Sequence, residues 1–224
     1  MKNATKGHKR MKAIAINGSP RKKWNTATLL EKTIEGAVSK GAKAESIHLY
    51  DLNFKGCISC FACKTTNGKS YGKCAVKDEL TPVLKKVNEA DVIILGSPIY
   101  FGTVTGEMRS FMERLLFALS TYTDPPGSLF FRKVRRAFIY TLGATEEMSR
   151  ERGFDKPVIE NEMVMKRIFG ASETCAGMIP FSLKITRKCT RLVSILQERR
   201  KYGRKYSQST AKKPSRWAID WSGN

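Results

Sequence analysis

Four consecutive apolar residues, Val92-Ile93-Ile94-Leu95, run into Gly96. The run is too short for a helix face and has no polar alternation that would give a strand one wet side. It reads as a strand covered on both faces, as in the middle of a parallel sheet. Residues 11–17 make a similar run that stops at Gly18-Ser19-Pro20; Ala44 to Leu49 and Ala137 to Leu142 supply a third and a fourth strand. Helical spacing falls between them. Leu29, Leu30, Ile34, Ala37 and Val38 share one face of a helix predicted from about Ala27 to Lys40, with Asn25-Thr26 placed to cap it and Gly41 to stop it. Leu80, Val83, Leu84 and Val87 mark a second helix, and residues 106–119 and 158–169 a third and a fourth. Such alternation over 224 residues implies one α/β domain, its parallel sheet covered by helices on both faces. Ligands on such sheets bind beyond the carboxyl ends of the strands. Residues 17–26, 97–106 and 143–147 occupy those places.

The first of these loops, Asn17-Gly18-Ser19-Pro20-Arg21-Lys22-Lys23-Trp24-Asn25-Thr26, joins small residues, hydroxyls and cations to a helix start. A helix N-terminus offers unpaired N–H groups and a positive dipole end, which suit a phosphate. Ser19 and Thr26 can add hydroxyl donors, Asn25 an amide and Arg21 a charge-assisted bond. An N-capped turn with no ligand explains the same residues equally well. The loop is neither a Walker A sequence nor Gly-x-Gly-x-x-Gly, which disfavours ATP and a Rossmann NAD site. In the second loop, Ser97-Pro98-Ile99-Tyr100-Phe101-Gly102-Thr103-Val104, an aromatic pair stands between Pro98 and Gly102. Tyr100 and Phe101 there either fill local core or present a flat wall to a planar ring. Taken together, a phosphate grip beside a ring platform describes a site for flavin mononucleotide (FMN).

Asn17-Gly18-Ser19-Pro20-Arg21 with Asn25-Thr26, then Gly96-Ser97-Pro98-Ile99-Tyr100-Phe101-Gly102 with Met108-Arg109-Ser110-Phe111-Met112-Glu113-Arg114, and Lys73-Cys74-Ala75-Val76-Lys77-Asp78-Glu79 between them resemble the flavodoxin-like NAD(P)H-dependent FMN reductase family. The resemblance covers about residues 11–173. It implies a flavodoxin-like three-layer sandwich with sheet order 2-1-3-4-5. It also implies that Ser19, Arg21, Asn25 and Thr26 hold the FMN phosphate, that Pro98, Ile99, Tyr100, Phe101 and Gly102 line the isoalloxazine, and that Gly143-Ala144-Thr145 forms the third flavin loop. Arg114 is expected to brace the fold or a dimer contact. No side chain is assigned a catalytic role: a nicotinamide would stack on the flavin, pass hydride to its N5 and leave, and an acceptor such as a quinone would follow in ping-pong order. Members of the family pair as dimers or tetramers, so a homo-oligomer is expected, with a small-molecule acceptor or an electron-transfer protein as partner. His8 and His48 lie outside the flavin loops and no Gly-x-Ser-x-Gly occurs, which disfavours hydrolysis.

Cys57-x-x-Cys60-x-x-Cys63, followed after ten residues by Cys74, occupies a glycine-containing loop between the second strand and the next helix. Clustered cysteines in an intracellular chain point to metal or redox work rather than to structural disulfides. Two-residue gaps let thiolates converge, and the segment resembles the cysteine motif of the iron–sulfur flavoproteins, a branch of the same family. A 4Fe–4S cluster on Cys57, Cys60, Cys63 and Cys74, unmetallated thiols and zinc all stay open. Cys175 and Cys189 receive no role.

The chain carries a net charge of +21, a balance that ordinarily suggests nucleic acid or an anionic surface. Residues 174–224 hold 12 Lys/Arg and 2 Asp/Glu, a net +10 in 51 residues, and residues 1–10 form a short basic extension. No zinc-finger, helix-turn-helix or aromatic RNA-binding pattern accompanies the charge, so a nucleic-acid partner is not expected. The resemblance calls for a fifth strand after about Glu173, then a segment similar to Asp-Thr-x-Gln-Phe-x-Asp-Tyr-Ser-Lys, and residues 178–190 do not supply it. Codons exist for those residues that, read two nucleotides along, encode Asp-Thr-Phe-Gln-Phe-Lys-Asp-Tyr-Ser-Lys-Met-Tyr. Two readings follow: a shift of reading frame near Thr174, or a genuine basic extension that makes the chain a nonenzymatic binding protein on the same scaffold. The shifted match favours the first, and the gene sequence decides. The first reading leaves the fourth strand at the sheet edge, with Phe181 and Leu183 as a makeshift substitute. The longest apolar stretch, Val92 to Gly106, is interrupted by Gly96, Pro98 and Gly102, and only Ala13–Ile16 follows the basic N-terminus. The expectation is a cytoplasmic protein with neither a membrane span nor a secretory signal.

Overall fold

Alternate residues of the central strands enter two different cores, and those cores define the layers. The computed structural model of the chain describes residues 10–170 and 173–178. Ile14, Ile16, Ile93, Leu95, Phe138 and Tyr140 face one side of the sheet, where they meet helices α2 (Leu80–Glu89), α3 (Gly106–Leu119) and α5 (Asp155–Phe169). Ala13, Ala15, Val92, Ile94, Ala137 and Ile139 face the other side and meet α1 (Asn25–Ser39) through Leu29, Leu30 and Ala37. Burying each large aliphatic or aromatic side chain contributes about 1.5–3 kcal/mol, so both faces stabilise the sheet strongly. The result is the expected three-layer sandwich.

The parallel strands are β1 (Lys12–Asn17), β2 (Lys43–His48), β3 (Val92–Tyr100), β5 (Arg135–Leu142) and β6 (Glu173–Met178), in the order β2-β1-β3-β5-β6. Counting parallel strands alone, this is the anticipated 2-1-3-4-5. The central strand runs four residues beyond the predicted Gly96, because Ile99 and Tyr100 pair antiparallel with the short strand β4 (Thr103–Val104). Phe101 (φ +50°) and Gly102 (φ +84°) make the left-handed turn of that hairpin. A further short helix, α4 (Glu146–Glu151), follows β5, and Thr145 caps it through its hydroxyl; the apolar pattern gave no sign of it. α5 begins three residues before the predicted start.

The expected break after Glu173 does not occur in the backbone. Glu173–Met178 pairs in parallel with Ala137–Leu142 over six residues, so β5 is not an edge strand. Ladder hydrogen bonds need only main-chain groups, and sequence character alone did not forbid them. The sheet therefore crosses the boundary drawn at residue 173. The basic N-terminal extension, the proposed strand at Phe181 and Leu183, and the basic segment from residue 179 lie outside the described residues. Among the described residues, no helix is long and apolar enough to cross a membrane.

Candidate functional site

The loop after β1 is held open by its own main chain. Gly18 N–H donates to the Gly96 carbonyl at 2.8 Å, tying the loop to the central strand. A Cβ at Gly18 would lie 2.7 Å from Met108 Cβ, so only glycine lets the loop pass this close to α3. Thr105 Oγ1 donates to the Gly18 carbonyl at 2.7 Å and also accepts from Met108 N–H, capping α3. The buried Asn17 side chain accepts from Ser19 N–H at 2.8 Å and lies 3.0 Å from His48 Nδ1. Ser19 Oγ accepts from Arg21 N–H at 3.1 Å.

The start of α1 differs from the predicted cap. Asn25 and Thr26 already belong to the helix, and Trp24 stands at the N-cap without a side-chain bond to it. The first intrahelical bond runs from Thr28 N–H to the Trp24 carbonyl. The amides of the first turn therefore receive no side-chain cap and no acidic residue, an arrangement open to an anion. Thr26 Oγ1 also lies 2.7 Å from Thr141 Oγ1 on β5, both buried, a bond in which either hydroxyl can donate and which pins α1 to the sheet. The Arg21 guanidinium stacks over the exposed Trp24 ring, 4.7 Å from its centroid. Lys22 pairs with Asp51 at 2.6 Å.

Three strand ends close one cavity of about 500 Å³, within the range of small-molecule sites. The first loop contributes Ser19, Arg21, Asn25 and Thr26; the end of β3 contributes Pro98, Ile99 and Tyr100; the end of β5 contributes Gly143. A Cβ at Gly143 would meet no protein atom within 4 Å. Eight of the ten flavin-site candidates thus share one wall. Phe101 and Gly102 do not: they form the tip of the β3–β4 hairpin, and Phe101 is fully exposed. The cavity has further lining that the sequence reading missed, including Lys23, Trp24, Thr28, Thr141 and Leu142. Trp24 carried a usable signal, since a tryptophan in a polar loop before a helix is out of place unless it covers something. Thr141 carried none, because only the pairing of β5 with β3 brings it here.

The cysteine loop is anchored by two cations. Arg114, 1% exposed in the middle of α3, donates to the Lys55 carbonyl at 3.3 Å, to the Val76 carbonyl at 3.1 Å, to Cys74 Sγ at 3.3 Å and to the Asp78 carboxylate. Burial opposes its charge, but Asp78 and Cys74 outweigh that and hold its pKa above the ordinary guanidinium value. Arg114 thus braces the fold, as expected. From the loop side, Lys64 donates to the Phe117 and Ser120 carbonyls at the C-terminus of α3, with its ammonium 4.5 Å from the Phe117 ring centroid. Burial lowers the Lys64 pKa. Ser59 and Phe61 adopt positive φ without being glycine, a strained backbone that these anchors maintain.

Cys57, Cys60, Cys63 and Cys74 all line one small cavity against Arg114 and Phe117. Cys57 and Cys60 are exposed, Cys74 is half-buried and Cys63 is buried, which pushes its thiol pKa up. The donor set suits iron–sulfur chemistry, yet among the described residues no three candidate ligands are grouped as a metal site requires.

The curated relatives include an iron-sulfur flavoprotein of Methanocaldococcus jannaschii, 41% identical over 104 residues, which are 46% of this chain and 51% of that one. An iron-sulfur flavoprotein of Archaeoglobus fulgidus is 45% identical over 104 residues, 46% of this chain and 48% of that one. This chain therefore spans about half the length of these curated relatives. Among solved structures, the NAD(P)H:quinone oxidoreductase of Methanothermobacter marburgensis superposes with a TM-score of 0.61 at 16% identity, over 84% of this chain and 96% of that one. An FMN-dependent NADH-azoreductase of Bacillus anthracis in complex with FMN superposes with a TM-score of 0.60 at 12% identity, over 83% and 96%. At such identities the superpositions establish the flavodoxin-like fold and nothing finer. A profile match over residues 11–149 takes in all three strand-end loops of the larger cavity as well as the cysteine loop, and by it this chain belongs to the NADPH-dependent FMN reductase family.

Proposed function

We propose that the chain is an FMN-dependent oxidoreductase that takes hydride from NAD(P)H and passes electrons to a small acceptor such as a quinone. One observation carries the reading: the side-chain-uncapped α1 N-terminus, Arg21 and the Pro98–Tyr100 wall meet around one cavity of flavin size. Bound FMN would supply a ring that accepts hydride and releases electrons singly or in pairs. The chain's own part is to bind and orient. The first-turn amides of α1 and the Arg21 guanidinium neutralise a phosphate dianion. Asn17 Oδ1 accepts from Ser19 N–H and Arg21 N–H donates to Ser19 Oγ, which together hold Ser19 in place beside it. Pro98, Ile99 and Tyr100 form the wall for the ring, and Gly143 keeps the third side free of a side chain. Tyr100 is partly exposed, which leaves one side of that wall open to a second ring. Phe101 and Gly102 serve this site as the turn that ends the wall.

Quenching of flavin fluorescence on titration with the full chain measures the binding. Saturable binding is expected, and Arg21→Ala should weaken it about 10- to 100-fold, the loss of a bond to a charged group. Bleaching of the bound flavin by NADH or NADPH under anaerobic conditions tests the hydride step. A chain that neither binds FMN nor supports bleaching sinks the proposal.

A second reading, an iron–sulfur flavoprotein that carries electrons, is favoured by the four cysteines around one cavity. The names of the relatives point the same way. Iron and acid-labile sulfide analysis after anaerobic reconstitution tests it. Stoichiometric uptake requires the loop to close around the cluster, and absence of both elements rejects the reading.

A further inference from the structure

A second cavity, of about 480 Å³, lies between α3, α5 and the start of the cysteine loop and shares no lining residue with the flavin cavity. Its floor is apolar: Met112, Leu116 and Phe117 come from one side of α3, and Val164 from α5. Phe117 is fixed in place by edge-on contacts with Phe61 and Tyr122, at centroid distances of 5.6 and 6.0 Å. The wall is therefore preformed. Two polar groups interrupt it on the α5 side. Asn161, 7% exposed and interacting with the Tyr140 hydroxyl on its inner side, lines the cavity, and the exposed Arg167 stands six residues further along. The cavity's other arginine, Arg109, is taken up by Glu113 at 3.4 Å in an i,i+4 pair. Arg167 has no ion-pair partner among the described residues. The lining thus carries a net +1, and its surplus charge resides on the α5 side.

A preformed apolar slot with one buried amide and one surplus cation selects a planar apolar body with a single anionic group. A volume close to that of the flavin cavity suits a ring system of similar size. We propose that this cavity is a second ligand site, separate from the flavin site, for a fused-ring aromatic compound bearing one sulfonate or carboxylate. The anionic group pairs with Arg167, the ring packs on Met112, Leu116 and Phe117, and Asn161 bonds to a polar ring substituent. The site stands independently of the flavin reading, since it is built from other residues.

6-Hydroxynaphthalene-2-sulfonate, a fused-ring monosulfonate that is not an electron acceptor, is the probe, titrated calorimetrically into the full chain with and without saturating FMN. One site is expected in both cases, because FMN occupies the other cavity. Arg167→Ala should weaken binding at least about tenfold and Arg167→Lys much less. Val164→Trp, which fills the slot, should abolish binding, whereas Arg21→Ala should leave it unchanged. FMN affinity, measured on each variant by fluorescence, checks that the fold persists and shows separately whether the flavin reading fails. Binding that is lost when FMN is added, that follows Arg21 instead of Arg167, or that survives Val164→Trp overturns the proposal, as does failure of the unaltered chain to bind the probe.

Discussion

The cavity proposed for flavin and the cysteine loop sit on the same domain but are held in unlike ways. The first is built where strands end. Gly18 N–H bonds to β3, Thr26 to β5 and Thr105 to the Gly18 carbonyl, so the same contacts that close the sheet also shape the cavity. The second is a long segment between β2 and α2 that folds through its own backbone turns and is tied to α3 by two cations, Arg114 and Lys64. α3 serves both: its N-terminal Thr105 and Met108 back the flavin loop, while its middle and C-terminus anchor the cysteines. The difference teaches that a site made from strand ends is shaped by the fold as a whole, whereas a site on an insertion depends on a few buried charges.

Removing one such charge gives the largest effect. Arg114→Leu leaves the Asp78 carboxylate and the Lys55 and Val76 carbonyls without their donor, and should cost about 3–5 kcal/mol in urea unfolding. The comparison predicts that whatever protein stays folded keeps its FMN affinity within about twofold, since none of the flavin contacts uses Arg114. A parallel loss of flavin affinity would show that the two sites are one mechanical unit.

Gly18→Ala is the converse. The added Cβ would meet Met108 Cβ, which has no flexible end to swing away, so the loop must shift. Stability should fall by about 1–3 kcal/mol, and fluorescence titration should show FMN affinity falling more than tenfold. The cysteine loop should be indifferent, its proteolysis pattern unchanged.

The smallest effect sharpens the same contrast. Mass-spectrometric mapping of alkylation should find Cys57 and Cys60 modified first and Cys63 last, following their exposure. Cys57→Ser should change unfolding free energy by less than about 0.5 kcal/mol, as surface substitutions generally do. Rapid modification of Cys63 in the unaltered chain would mean that the loop opens more readily than its two anchors suggest.

The sequence legible by itself was the part governed by periodicity and short range. Apolar runs at 13–16 and 92–95 read as strands covered on both faces, and helical spacing between them gives the parallel α/β arrangement. The loops at the strand ends followed from that, and with them eight of the residues that share the flavin cavity. The rest was decided in three dimensions. Thr26 reads as a cap or a phosphate donor in sequence, but it lies inside α1 and β5 brings Thr141 within 2.7 Å of its hydroxyl. Phe101 reads as a ring platform, but the β3–β4 hairpin turns it outward at a left-handed backbone position. The fifth strand was not expected at Glu173–Met178, yet backbone pairing with β5 forms it there. Arg114 looked like a brace, but its partners at 55, 74, 76 and 78 are 36 to 59 residues away. Local pattern specifies which segments become strands and helices, because side-chain periodicity must match a covered surface. Which polar groups meet depends on contacts between distant segments, and only the packed chain settles those.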